Sequence, residues 1–465
     1  MSIKPNELNN ADCPMSAELK TGKTDGAWYS TIMPSEHYDS MRSARFPNTC
    51  DVKQIAGAGM VSVAARETVA DYPNPYNLIT RERDELFLYG GYVGEGNGAY
   101  VAKIDPQSLC EQWRIYLRVD NDMAFDWPGA VGVHGNGFVY AIAGNILAKI
   151  DAVTAAFSTV NLPEHPGQGG AAYNGFIISS QGILIVKSME RGEIPTHSAN
   201  KLAGLKAVVE NGIPAFLVAV DPNDLSILAR IETPEPVIGR VTVAQHDGRE
   251  YVYCPGSSRV WRYRYTGNQF VLDEQWQPQY VEDGEQPGTA CGLMNDWVIV
   301  QTNFFESSLP LRISAFHVED SNRTHTIQPF PESVHSQEFS KPGLDPENMR
   351  VYTNDQLAGK VAALDFDEET GFALRWRTKQ RMASFWAIVG PKECRNIIGT
   401  NFTKQGDCVV WRDADSGKEL AASGVLDPLF NGDIVSSGFQ GRFYYMAVEN
   451  QKAVELTLIS QDQAD

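Results

Sequence analysis

The chain repeats itself. From about residue 76 to the C-terminus, a strand running into an acidic turn returns at a spacing of roughly forty to fifty residues. Four copies are plainest: YVAKIDPQSL from Tyr100, FLVAVDPNDL from Phe216, KVAALDFDEETG from Lys360 and CVVWRDADSG from Cys408. A period of that length, with short strands and Gly or Asp turns, is the mark of a β-propeller in which each repeat is one four-stranded blade. No blade can bury both faces alone, so the copies must close into a ring. The expected fold is all-β.

Units begin near Asn77, Gly129, Gly170, Gly239, Gly288, Gly343, Phe385 and Gly432, which predicts eight blades. Seven is the alternative, because the sixth unit opens on a weak strand, GLDPENM. The last unit supplies only three strands: DIVSSGF, GRFYYMAV and AVELTLIS. The fourth is expected from GMVSVAARETV at 59–69, which would tie the two ends together and remove an open sheet edge. The chain thus divides into a flexible N-terminal segment (1–27), an extension carrying the ring-closing strand (28–75) and the propeller (76–460).

Charge narrows the partners. With 39 basic and 58 acidic residues the formal balance is −19, a field that repels phosphate backbones and anionic lipid, so neither nucleic acid nor membrane is expected. No stretch has the apolar length of a signal peptide or a membrane span. The seven cysteines lack C-x-x-C spacing and read as reduced packing thiols. These features suggest a cytoplasmic protein with a small-molecule partner; its oligomeric state is left open.

Strand parity sorts the loops. In an antiparallel blade A-B-C-D, the A-to-B and C-to-D turns share one face of the disc, and the D-to-A and B-to-C connections share the other. The B-to-C loops are long and varied, at 90–98, 187–215, 302–310, 353–359 and 400–407, and such loops on a rigid scaffold are where binding usually lives. The longest contains a helix signal: Ser198 as N-cap, Leu202, Leu205 and Val209 on one side, and Gly212 as the stop. It is expected to form a lid, 189–214, over the axis.

The loop face gathers the candidate chemistry. Tyr173 opens one A strand and Lys187 ends the adjoining B strand, so pairing brings both onto this face; they are the first candidates for acid and base, with His165 and Asp433 beside them. Candidate binding groups are Asp126, Trp127, Asn174, Glu190, Arg240, Asn303, Phe304, His335, Trp386 and Asn401. Three B strands end in Thr-Asn (Thr302-Asn303, Thr353-Asn354, Thr400-Asn401), which either rings the face with amides or closes each turn through the Asn side chain. His165, His197 and His335 share the face without ligand spacing, so no metal is assigned, although a divalent ion there is an alternative. No G-x-S-x-G motif or P-loop appears.

The segments VAALDFDEETGFALRW (361–376), VVWRDADSGKELA (409–421) and LVAVDPNDLSILAR (217–230) resemble the repeat of quinoprotein-type, PQQ-like β-propellers. In that repeat a strand ending in Leu-Asp meets a Thr-Gly turn and then a strand carrying Trp. The resemblance implies an eight-bladed ring. Family dehydrogenases often carry vicinal cysteines at the quinone, and no two cysteines here are adjacent. No cofactor is therefore assigned. The leading expectation is an intracellular, non-redox enzyme (lyase, hydrolase or isomerase) acting on a small polar or aromatic metabolite. A quinone-dependent oxidoreductase and a protein-interaction scaffold are the alternatives.

Overall fold

The computed structural model describes residues 19–47, 52, 61–93, 96–118, 127–166, 170–190, 192, 201–429 and 433–460. They form eight four-stranded antiparallel sheets. The innermost strands are Pro75–Thr80, Ala130–Val133, Ala171–Ile178, Thr242–His246, Cys291–Met294, Gly343–Asp345, Ala387–Val389 and Ser436–Ser437. Each lies against the next around the axis, and that of blade 8 meets that of blade 1, which closes the circle. The ring has eight blades, and the weak sixth unit is one of them. Burial falls outward: B and C strands are buried almost throughout, whereas outer strands such as Phe157–Asn161 and Gly371–Lys379 are largely exposed.

The closure forms as expected. Val61–Glu67 is the outer strand of blade 8 and pairs in register with the C strand, from Val61 opposite Ser460 to Glu67 opposite Val454. Arg66 straps the join by donating from Nε and Nη2 to Glu455 at 2.9 and 2.7 Å.

The repeating acidic residue turns out to serve the backbone. Asp105, Asp151, Asp221, Asp367 and Asp413 each accept a backbone N–H two or three residues on, at 2.7–3.0 Å, and so close the C-to-D hairpin of five blades. The residue four places after each is left-handed: Leu109, Ala155, Leu225, Gly371 and Gly417. Two blades use glycine there, and three hold a side chain in the same conformation.

Residues 28–46 hold what the repeat could not announce: they fill the central channel from the hairpin face. The entry is tied down through residues 19–27, the described part of the segment expected to be flexible. Thr24 donates to the Gly135 carbonyl, and the Gly135 amide donates to Ala27. The segment then bonds to the innermost strand of every blade. Thr80 and Val133 donate to Met33 and Pro34 at 2.9 and 2.8 Å. Ser40 Oγ donates to Ile178, and Val243, Leu293, Leu344 and Ile388 donate in ring order to Ser40, Met41, Ser43 and Ala44 at 2.9–3.0 Å. Ser437 N reaches Met33 Sδ at 3.2 Å. So tight a circuit needs left-handed backbone at Tyr38, Arg42 and Ala44, with φ of 72°, 56° and 62°. Such residues cost of order 1–3 kcal/mol each and persist where the surroundings over-determine them.

Candidate functional site

The plug forms the floor of a polar chamber on the axis, and the loop face supplies its ceiling. Helix α1 (Lys201–Glu210) sits on that face and stops at Gly212, whose φ is +66°. Leu205 and Val208 are buried with Ala172, Met189, Ile238, Phe304, Phe305 and Phe339, and Trp127 packs against the same cluster. Trp127 precedes blade 2 and Phe339 precedes blade 6, on opposite sides of the ring. One apolar layer thus runs along the loop face from blade 2 to blade 6, with the helix in it. Ser198 and His197 lie outside the described residues.

Between floor and ceiling, charged side chains converge from the plug, from the B strand of blade 3 (Lys187) and from three inter-blade connections (Arg240, Lys341 and Asp433). Arg240, entering blade 4, places Nη2 2.9 Å from the Tyr76 hydroxyl and 3.0 Å from Glu36 Oε1. The His37 ring meets Phe385 edge-on at 4.5 Å, and the Arg240 guanidinium lies 5.8 Å from the same ring. Lys187, Lys341, Arg42 and Asp433 lie in the same field. None of Glu36, His37, Arg42, Tyr76, Asn77, Lys187, Arg240, Lys341, Asp433 and Ser436 is more than 7% exposed. Several of their polar atoms have no hydrogen-bond partner: both His37 nitrogens, both Asn77 amide atoms, Arg240 Nε, Asp433 Oδ2 and Ser436 Oγ. A buried polar atom left unpaired costs about 1–3 kcal/mol, and the unpaired atoms around Arg240 make this the candidate site.

Burial also sets their protonation. It holds His37 well below the ordinary imidazole range, with repulsion from Lys341, Arg42 and Arg240 added, so the ring is neutral. It raises Asp433 well above the usual carboxylate range, which favours the protonated form. Lys341 is pushed down to about 7 by burial, with Arg42 adding repulsion. Lys187 is likewise lowered by burial, with Arg240 next in weight, and donates its Nζ proton to the Val237 carbonyl at 2.8 Å.

The expected site residues divide. Lys187, Arg240 and Asp433 are brought together at the axis, and Asn174 lies beside them, donating to Ile238 O at 3.0 Å. The expected partnership of Tyr173 with Lys187 does not form. Tyr173 pairs across the strands with Ser188, so Lys187, one residue away, points to the other side of blade 3. Tyr173 packs against blade 2 and donates to Pro163 O at 2.5 Å. Shared loop-face placement was legible from parity, but sidedness alternates along a strand and parted the pair. His165 stacks on Phe216 at 4.1 Å and bonds Pro214 O through Nε2; its backbone amide faces Glu190, which is buried and accepts from Ser188 Oγ. Trp386 is packed between blades 6 and 7, not set as a chamber wall. Asn303 and Asn401 bond nearby backbone: Asn303 Nδ2 donates to Leu309 O within its own loop, while Asn303 Oδ1 accepts from Gln286 N and Asn401 Oδ1 from Arg381 N, each in the connection leading into the blade. Phe304 belongs to the lid layer, and His335 is exposed beside Glu306 at 3.0 Å. Asp126 lies outside the described residues. The chamber groups missed from sequence are Glu36, His37, Arg42, Tyr76, Asn77, Lys341 and Ser436; the plug residues among them belong to no repeat.

Potential metal-ligating groups converge elsewhere among the described residues, at His246, Asp247 and Glu319 on the hairpin face, where His246 Nε2 lies 3.6 Å from Asp247 and 3.7 Å from Glu319.

A second buried acid lies beside the channel. Glu338 accepts from Ser340 N at 2.6 Å and from Asn354 Nδ2, and burial, with Asp355 nearby, pushes its carboxyl up to about 8. Its folded value is raised, so the stability it contributes is complete below its ordinary value of 4.5 and is lost as pH rises through about 8. Glu338→Gln stays neutral. Its melting temperature should gain on that of the natural chain between about pH 5 and about pH 9, and a constant difference across that range would refute the assignment.

The sequence matches no protein-family model and no curated protein. Among solved structures, the quinohemoprotein alcohol dehydrogenase of Comamonas testosteroni is similar at a TM-score of 0.59, with 11% identity over 94% of this chain and 81% of that one. A europium-containing methanol dehydrogenase gives 0.56 at 10% identity, covering 94% and 98%. BamB from Moraxella catarrhalis gives 0.52 at 14%, covering 85% and 99%. The fold shared with these neighbours is the β-propeller. These neighbours include dehydrogenases and BamB alike, so the likeness extends to architecture and no further.

Arg240, the cation best placed to hold an acid group on the axis, faces Glu36, and residues 28–46 occupy the axis from the hairpin face.

Proposed function

We propose that this protein is an enzyme carrying out non-redox, acid–base chemistry on a small polar organic molecule in the axial chamber. One observation carries the reading: an imidazole with neither nitrogen hydrogen-bonded, and a carboxyl group raised well above its usual range with its Oδ2 unbonded, occur in the same buried field around Arg240. Environments that push two titratable groups to opposite protonation states divide the work of base and acid between them. In this assignment His37 accepts a proton and Asp433 donates one. Arg240 and Tyr76 hold the polar end of the molecule, and Asn77 and Ser436 orient the rest. Helix α1 covers the loop face. Elimination, hydrolysis and isomerisation all fall within this set of roles.

The test is a metabolite library incubated with the purified protein and followed by mass spectrometry and by thermal shift. His37→Gln and Asp433→Asn should each lower turnover by about a hundredfold or more, with melting temperatures close to that of the natural chain. Turnover unchanged in both variants would defeat the proposal. So would a visible quinone spectrum in active protein, because it would make the chemistry redox.

A further inference from the structure

We propose that the chamber's ligand is a small carboxylic acid whose carboxylate takes the place held by Glu36 on Arg240, making residues 28–46 a built-in competitor. The inference rests on the axial chamber being the functional site. Arg240 offers a planar fork that matches a carboxylate through two parallel hydrogen bonds. Glu36 uses it poorly. Its Oε1 lies 3.0 Å from Nη2 but makes no hydrogen bond of good geometry, and Arg240 Nε is unpartnered. A short molecule unattached to the backbone could take both arms. The Tyr76 hydroxyl, 2.9 Å from Nη2, would lie beside it.

The rest of the chamber suits the body of such a molecule. Phe385 supplies an apolar surface between His37 and Arg240. Asp433, in the same field as Arg240, offers an unpartnered Oδ2, enough for a hydroxyl substituent. Glu36 itself stands two residues before the left-handed Tyr38, in a segment fixed by its bonds to the blades and not by its own conformational preference. Its carboxylate is therefore presented to Arg240 by the fold, at a position that a free carboxylate can contest.

Titration calorimetry with acetate, benzoate and succinate decides the matter, with benzamide and inorganic phosphate as controls. Glu36→Gln should bind at least one of the three acids about tenfold or more tighter than the natural chain. Adding Arg240→Gln should abolish the gain, and benzamide and phosphate should show none. If Glu36→Gln does not fold, Glu36→Asp withdraws the carboxylate by one methylene and should show a smaller gain in the same direction. No gain for any acid, or an equal gain for benzamide or phosphate, overturns the inference. The two readings fail separately. Turnover of a non-acid that depends on His37 and Asp433, with no gain in Glu36→Gln, removes the competitor and leaves the enzyme. A carboxylate gain without turnover of any metabolite does the reverse.

Discussion

A chain shortened to begin after residue 70 should lose its cooperative melting transition, whereas one beginning at residue 26 should keep it. The longer deletion removes two separate devices. The strand Val61–Glu67 leaves blade 8 with three strands and exposes the edge of its C strand. The plug takes with it Tyr29, Ile32, Met33 and Phe46, each buried, at about 1.5–3 kcal/mol apiece. Their sum rivals the whole stability of an ordinary domain, about 5–15 kcal/mol, before any backbone bond to the eight innermost strands is counted. The shorter deletion costs only edge contacts such as Thr24 to Gly135 and Thr21 to Glu82, about 1–2 kcal/mol together. A chain beginning at residue 48 separates the two devices, because it keeps the closing strand and loses the plug. It should melt well below the natural chain. A transition equal to that of the residue-26 chain would mean that residues 28–46 are an accessory and not part of the core.

How much of this was legible depended on whether a residue belonged to the repeat. The blade boundaries fell close to where the Gly and Asp turns put them, because those turns have local causes. An aspartate that accepts its own downstream amides closes its hairpin wherever it occurs, as at Asp105 and Asp367. The ring-closing strand was legible because a three-stranded last unit required a donor. The lid helix was legible from its apolar spacing and from Gly212. The chamber was half legible. Arg240, Lys187 and Asp433 flank innermost or second strands, so strand parity alone put them on the correct face. Tyr173 and Trp386 were misjudged because a strand alternates its side chains between two blade interfaces, and face and interface are independent coordinates. The plug was invisible. Residues 28–46 have no helical or strand period, since their order comes from bonds to eight strands spread over more than three hundred positions of sequence.

Arg240→Met should be the most damaging single substitution in the chamber. It removes the cation facing Glu36 and leaves that carboxylate buried beside the neutral His37 ring, with Arg42 and Lys341 as the remaining cations in its field, a defect worth about 3–5 kcal/mol. Glu36→Gln alone should cost much less, because the Arg240 guanidinium keeps its contact with Tyr76 and a nearby aromatic face. The double variant, Glu36→Gln with Arg240→Met, has neither charge, and it should recover most of the stability lost in Arg240→Met. That is a coupling of the kind a double-mutant cycle isolates. Denaturant melts of the four proteins measure it; additive losses would mean that the pair does not interact. The same four proteins separate structure from function. A chamber that only props the propeller open would be satisfied by the stable double variant, which should then bind small acids as the natural chain does. A chamber built to hold a carboxylate has lost its anchor in that variant. Restored folding should therefore come without restored binding.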